Sequence, residues 1–146
     1  MSSESWSGIV DLNLTSVFHT IQAAVPLMRR RKYGRIIVTS SVAGLRGEAV
    51  VGYAYSATKA GLIHLTRCLA VALAPDVLVN CVAPGLIEGT RIAGRLPDGV
   101  RETALQRAVL RRGTSAQDVA EQVVTFCSTD STTGQVLAVD AGFVFH

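Results

Sequence analysis

The sequence predicts an α/β fold, a parallel sheet with helices on both faces, and three observations predict it. The β-branched runs at 35–41 and 77–82 lack polar alternation, as strands buried on both faces do. The segments before and after them carry apolar residues at helical spacing. The order is helix, strand, helix, strand, helix, strand, which makes βαβ units with right-handed crossovers.

The first helix is predicted over 3–31, where Trp6, Ile9/Val10, Leu14, Val17/Phe18, Ile21, Ala24/Val25 and Met28 repeat at that spacing. Ser2 or Ser3 suits its N-cap, the basic run Arg29 to Lys32 suits the negative end of its dipole, and Gly34 is expected to stop it. So wide a stripe predicts more than one packing partner. A loop with Gly44, Gly47 and Gly52 leads to a helix over 54–74, ended before Pro75. The second strand closes on Ala83-Pro84-Gly85. Thr114 to Gln117 reads as a capping box that opens a helix with Val119, Val123/Val124 and Phe126/Cys127 on one side, and the last strand is 135–140.

The 146 residues suit one domain spanning 1–146, and 49% hydrophobic with 17% charged residues is far from disorder. No apolar run reaches the roughly 20 residues of a membrane span; GLIHLTRCLAVALA is broken by His64 and Arg67. The start Met1-Ser2-Ser3-Glu4 lacks the basic-then-apolar pattern of a secretory leader. Cys68, Cys81 and Cys127 are odd in number and far apart, so they read as reduced core residues of a cytoplasmic protein and not as a metal set. Residues 86–113 hold six arginines against three acids, which accounts for the whole net charge of +3. With no basic stripe interleaved with aromatics, nucleic acid is not an expected partner.

Ligands of parallel sheets collect beyond the carboxyl ends of the strands. Ser40-Ser41 ends the first strand, and Tyr55 and Lys59 open the following helix on the same side of the sheet. Their i, i+4 spacing stacks them on one helix face. Only two of the fourteen basic residues, Lys32 and Lys59, are lysines. A phenol has an unperturbed pKa of about 10, and a fixed ammonium nearby favours its ionised form. A lysine can also hydrogen-bond ribose hydroxyls and pass protons, which a guanidinium does poorly. Ser41 could orient a substrate oxygen and stabilise its developing charge. A lone Y-x-x-x-K arises often by chance as surface decoration. The constellation with Ser41 and with Asn80-Cys-Val-Ala-Pro-Gly85 sets this one apart.

These residues resemble the short-chain dehydrogenase/reductase family. Gly34-Arg-Ile-Ile-Val-Thr-Ser-Ser-Val-Ala-Gly44 is similar to its catalytic-serine strand, Tyr55-Ser-Ala-Thr-Lys59 to its Y-x-x-x-K, and Val79 to Gly85 to its cofactor-closing turn. Asp11-Leu-Asn-Leu14 resembles the segment of its catalytic asparagine, and Thr133-Gly134-Gln135 through Gly142 its final strand. The resemblance implies a partial Rossmann-type sheet and an NAD(P)-dependent oxidoreductase that interconverts a carbonyl and an alcohol by hydride transfer. Tyr55 is then the general acid/base, and Lys59 favours its ionised form while binding the nicotinamide ribose. Ser41 positions the substrate oxygen, and Asn13 holds a water that links Lys59 to solvent. Pro84, Gly85, Ile87 and Thr90 would line the cofactor, the backbone of Ile87 facing its carboxamide. Ser40 points to the opposite face of its strand.

Some features depart from the family. Ser41 and Tyr55 are 14 residues apart, one more than the family spacing, so the loop at 45–53 is expected to bulge. Tyr53 is a decoy, with Ala57 four residues on. Thr90 is displaced by one, and Ala141 stands where the family usually has glycine. No G-x-G-x-x-G follows a strand, and no residue that would choose NAD or NADP is present. The resemblance covers the catalytic half of the family's domain and lacks its phosphate-binding strands, so the chain by itself is expected to be inactive. Met1 as an internal methionine, a fragment, and a short non-catalytic relative all fit this. The last would be an oligomerisation module, pairing with copies of itself through helices 3–31 and 54–74. The arginines of 86–113 read either as solvated helical faces or as a lid for an anionic substrate such as a carrier-bound acyl thioester, with Arg29 to Lys32 as a docking patch.

Overall fold

The computed structural model describes residues 1–47 and 52–145. The elements are α1 (Ser3–Val10), a π-helical turn (Asp11–Thr15), α2 (Ser16–Arg31), β1 (Gly34–Thr39), a 3₁₀ turn (Val42–Gly44), α3 (Tyr53–Leu73) and β2 (Val77–Pro84). There follow a 3₁₀ turn (Ala93–Arg95), α4 (Asp98–Arg107), α5 (Ala116–Ser128) and β3 (Val136–Val139). The strands form one parallel sheet in the order β1-β2-β3, with Gly34 opposite Val77 and Pro84 opposite Val139. The α/β reading holds, but the expected order lacked α4, which the sequence hides because Asp98–Arg107 carries no apolar stripe.

β2 lies in the centre, and Val77, Val79, Cys81, Val82 and Ala83 are fully buried. Leu62, Ile63, Ala70 and Leu73 of α3 and Ile21 of α2 join it with Ile36 and Val38 in one apolar cluster. Asn80 is buried among them with its amide satisfied: it donates to the Thr132 carbonyl at 2.8 Å and accepts from the Gln135 N–H at 3.0 Å. That pairing ties the entry of β3 to β2. Among the described residues, β1 has a strand on one side only.

Several local expectations are corrected. The helix at 3–31 is interrupted by the π turn, and only Ile21 of its stripe is fully buried. Trp6 and Phe18 are exposed, as is Leu27, while Leu14, Val17, Val25 and Met28 pack partly on the core. The helix is ended by Lys32 in the left-handed region at φ 50°, not by Gly34. Gly34 begins β1, where a Cβ would meet the Met28 side chain at 2.7 Å. Ser2 is the N-cap, accepting from the Ser5 N–H. The capping box sits one residue later than read: Ser115 accepts from the Asp118 N–H at 3.0 Å, and Asp118 accepts from the Ser115 N–H at 2.8 Å. Of the cysteines only Cys81 is in the core; Cys68 and Cys127 are exposed because they lie on the outer faces of α3 and α5. On α5, Val124 is exposed as well, so the buried side reduces to Phe126 with Val119 and Val123 half-buried. Residues 48–51 of the expected bulge lie outside the described residues.

Candidate active site

β1 ends at Thr39, and the chain turns sharply through the 3₁₀ turn. The Ser41 hydroxyl oxygen caps that turn by accepting from the Ala43 N–H at 3.2 Å, which leaves its own proton free to donate. Ser40, one residue earlier, faces the other way. It is buried, and its hydroxyl donates to the Lys59 carbonyl at 2.7 Å. α3 begins after Gly52, whose φ of 83° favours a residue without Cβ. This start brings Tyr55 and Lys59 to the strand end. Lys59 Nζ donates to the Thr39 carbonyl at 3.1 Å and stands 5.5 Å from the centroid of the Tyr55 ring. Burial pushes the Lys59 ammonium below the ordinary lysine value, a shift that the Cys81 side chain opposes in part only when it is ionised. Burial in turn pushes the Cys81 thiol up, so it offers no compensating negative charge at neutral pH.

Asn13 lies in the π turn, where its Nδ2 donates to the Ile9 carbonyl at 3.0 Å. Such turns inside α-helices are frequent at functional sites. The neighbouring Leu14 packs over Gly61, two residues beyond Lys59, with 3.3 Å between its Cδ2 and the place of a Gly61 Cβ. The π turn that carries Asn13 thus packs against α3 through Leu14. The decoy Tyr53 points elsewhere, exposed and against Trp6 with 6.4 Å between ring centroids.

Pro84 ends β2, and Gly85 donates to the Val139 carbonyl at 3.0 Å. A Cβ on Gly85 would stand 2.8 Å from the Asp140 Cβ, so only glycine allows this approach. Ile87 forms an isolated parallel bridge with Thr114, in which Thr114 bonds to Leu86 and Glu88. The Ile87 N–H therefore points away from Thr114. The Thr90 hydroxyl is engaged inside the same turn, donating to the Ile87 carbonyl at 2.8 Å and accepting from the Ala93 N–H.

Phe143 was absent from the sequence-based candidates. The guanidinium of Arg46 lies 5.9 Å from its ring centroid and that of Arg107 5.1 Å away. The loop after β1, the end of α4 and the segment after β3 thus meet on one ring. A concavity of about 320 Å³ between α5 and β3, with Thr114, Asp118 and Leu137 on its wall, is lined by none of Asn13, Ser41, Tyr55 and Lys59. No metal-ligand cluster occurs among the described residues. No helix there is long and apolar enough to cross a membrane.

A family model described as enoyl-(acyl carrier protein) reductase matches residues 1–144. The chain belongs to the short-chain dehydrogenase/reductase family. It is 40% identical to the 3-oxoacyl-[acyl-carrier-protein] reductase FabG of Thermotoga maritima, over 99% of this chain and 59% of that protein. It is also 40% identical to that of Aquifex aeolicus, over 97% of this chain and 58% of that protein. A crystal structure of 3-oxoacyl-[acyl-carrier protein] reductase from Brucella melitensis superposes with a TM-score of 0.93 at 34% identity, covering 99% of this chain and 55% of that one. A second structure from that organism, with NAD bound, superposes at 0.88. This short-chain dehydrogenase/reductase chain thus spans under two thirds of the length of these relatives.

Proposed function

We propose that this chain carries the catalytic residues of an NAD- or NADP-dependent oxidoreductase that interconverts a carbonyl and an alcohol, the substrate being a 3-oxoacyl thioester or its 3-hydroxy counterpart. The observation that carries the reading is Lys59: four residues after Tyr55, it is bonded to the carbonyl two residues before Ser41. One cation is thereby tied to both elements that supply the reacting hydroxyls. The family model's description names an enoyl reduction and the relatives' names a ketone reduction. We favour the ketone, the reaction that the names of the relatives matching 97–99% of this chain give.

The nicotinamide cofactor, when bound, supplies or accepts the hydride. The residues present fit its nicotinamide–ribose end. The Lys59 ammonium suits ribose hydroxyls, and the Ile87 N–H, turned away from Thr114, suits a carboxamide. Gly85, held against Asp140, keeps the turn after Pro84 low enough to admit a ring. Thr90 braces Ile87 and reaches the cofactor only by giving up that bond. Ser41 donates to the substrate oxygen and fixes its direction. Tyr55 gives its phenolic proton to the same oxygen during reduction and takes it back during oxidation. Lys59 stabilises the phenolate so formed, and Asn13 orders a water through which the proton is replaced.

The exposed apolar residues of α1, α2 and α3, among them Trp6, Phe18 and Leu27, favour self-association through these helices as a homo-oligomer, in the cytoplasm. They also favour a second reading, a non-catalytic assembly module. The test is to purify the protein as its gene encodes it and follow NADH and NADPH oxidation with a 3-oxoacyl thioester. Turnover lost in Tyr55→Phe supports the enzyme. Absence of turnover in the parent, with a stable oligomer, supports the module.

A further inference from the structure

The strand end grips Lys59 at both of its ends. The Thr39 carbonyl accepts from Nζ at 3.1 Å, and the next residue, Ser40, donates its hydroxyl proton to the Lys59 main-chain carbonyl at 2.7 Å. Within a helix that carbonyl also accepts from the N–H four residues on, so Ser40 occupies its second lone pair. Ser40 is 3% exposed, and its side chain faces α3 and not the site. Gly44 closes the grip from the 3₁₀ turn: a Cβ there would fall 2.5 Å from the Lys59 carbonyl carbon and 2.7 Å from its oxygen. Thr58, equally buried, holds the Tyr55 carbonyl at 2.7 Å.

We propose that Ser40 is a positioning residue: its bond to the Lys59 carbonyl, with the bare backbone of Gly44 alongside, sets the register of α3 on β1 and so aims the Lys59 ammonium at Tyr55. Leu62 and Ile63 hold the helix to the sheet, but apolar contacts are non-directional and resist a small slide weakly. A hydrogen bond weakens steeply once its geometry is lost and therefore fixes the axial position. Ser40 touches neither substrate nor cofactor and acts only through Lys59. The proposal rests on the catalytic reading of Tyr55 and Lys59.

The test uses Ser40→Ala and the nearly isosteric Ser40→Cys, a weak donor that fills the same space, in the protein as its gene encodes it. Both are expected to lower kcat by on the order of tenfold to a hundredfold with KM unchanged, the scale of a misplaced catalytic group. Ser40→Thr, which keeps the hydroxyl, is expected to recover most of the loss. An NMR titration of carbon-13-labelled lysine, with the Lys59 resonance identified by its absence in Lys59→Arg, reads the ammonium directly. In Ser40→Cys that resonance is expected to titrate closer to the ordinary lysine value, because a loosened side chain is better hydrated. A lowered Tm with kcat and the Lys59 titration both unmoved would make Ser40 a packing residue and overturn the proposal. Full activity in Tyr55→Phe would instead remove the catalytic reading itself, whatever Ser40 does.

Discussion

Lys59 Nζ joins the Thr39 carbonyl at 3.1 Å while standing 5.5 Å from the Tyr55 ring, so one ammonium spans from the end of β1 to the first turn of α3. A guanidinium is larger and planar and cannot occupy that point-charge position with the same bonds. Lys59→Arg is therefore expected to lose most turnover despite keeping its charge. Tyr55→Phe keeps the ring and removes the proton donor, and the expected loss is about 10²–10⁴-fold in kcat. Steady-state kinetics of the two variants checks this, and near-parental rates in both would end the assignment.

The same lysine predicts a dependence of stability on pH. Burial holds its folded pKa below 10.5, so between the folded value and 10.5 the unfolded chain binds more protons and stability rises with pH. Below that window the cost of the buried charge is fully present, and the neutral Cys81 thiol does not offset it. Lys59→Met is expected to be inactive yet to unfold at higher urea than the parent near neutral pH. That advantage should shrink as pH rises towards 10.5. Urea midpoints measured across this range decide it; a difference constant with pH would show that packing, not charge, is responsible.

Ala141 adopts φ 57°, a left-handed conformation that a Cβ disfavours. The turn that requires it is built by Asp140, whose two carboxylate oxygens accept from the Gly142 N–H at 3.0 Å and the Val144 N–H at 2.8 Å. Ala141→Gly is expected to stabilise the protein by about 0.5–1 kcal/mol, the strain removed exceeding the added freedom of the unfolded chain. Thermal unfolding of the variant tests this, and a lower Tm would show that the turn holds no strain at Ala141.

The α/β class, the strand positions and the approach of Lys59 to the Tyr55 ring at the end of β1 were legible because periodicity and spacing act locally. Ser40 was legible only in part: alternation along β1 turns it from the site, but nothing in the sequence says that its hydroxyl lands on Lys59. The π turn around Asn13 was hidden, since a stripe of apolar residues runs through it without a break. Lys32 could replace Gly34 as the helix stop because a single left-handed residue costs little beside the packing of Met28 on Gly34. The meeting of Arg46, Arg107 and Phe143 joins segments 36 to 97 residues apart along the chain, distances that no local pattern bridges.

That meeting bears on the substrate. Residues 86–113 hold the whole positive excess, and Arg107, the last residue of α4, leans on Phe143 just past the Asp140 turn that Gly85 touches. If the substrate is anionic, raised salt should increase KM by screening, with kcat little changed. Arg107→Gln should raise KM at low salt and flatten that dependence. Kinetics at several salt concentrations checks both, and a KM indifferent to salt would point to a neutral substrate.

The last expectation concerns residues 1–146 expressed by themselves. Among the described residues, β1 pairs with β2 alone, so one row of backbone groups along Ile36, Ile37 and Val38 has no strand beside it. An apolar strand edge of this kind recruits other strands unless it is covered. Trp6, Phe18 and Leu27 expose further apolar surface on α1 and α2. These 146 residues also contain no glycine-rich turn that opens a helix N-terminus onto a pyrophosphate. The chain is therefore expected to be insoluble or to persist as an oligomer that hides the β1 edge, and to bind NADH and NADPH weakly. Mass in solution by light scattering and cofactor binding by fluorescence measure the two halves of this expectation. A monomer would show that the edge is already covered, and tight cofactor binding would show that the residues around Lys59 and Ile87 hold the dinucleotide without a pyrophosphate turn.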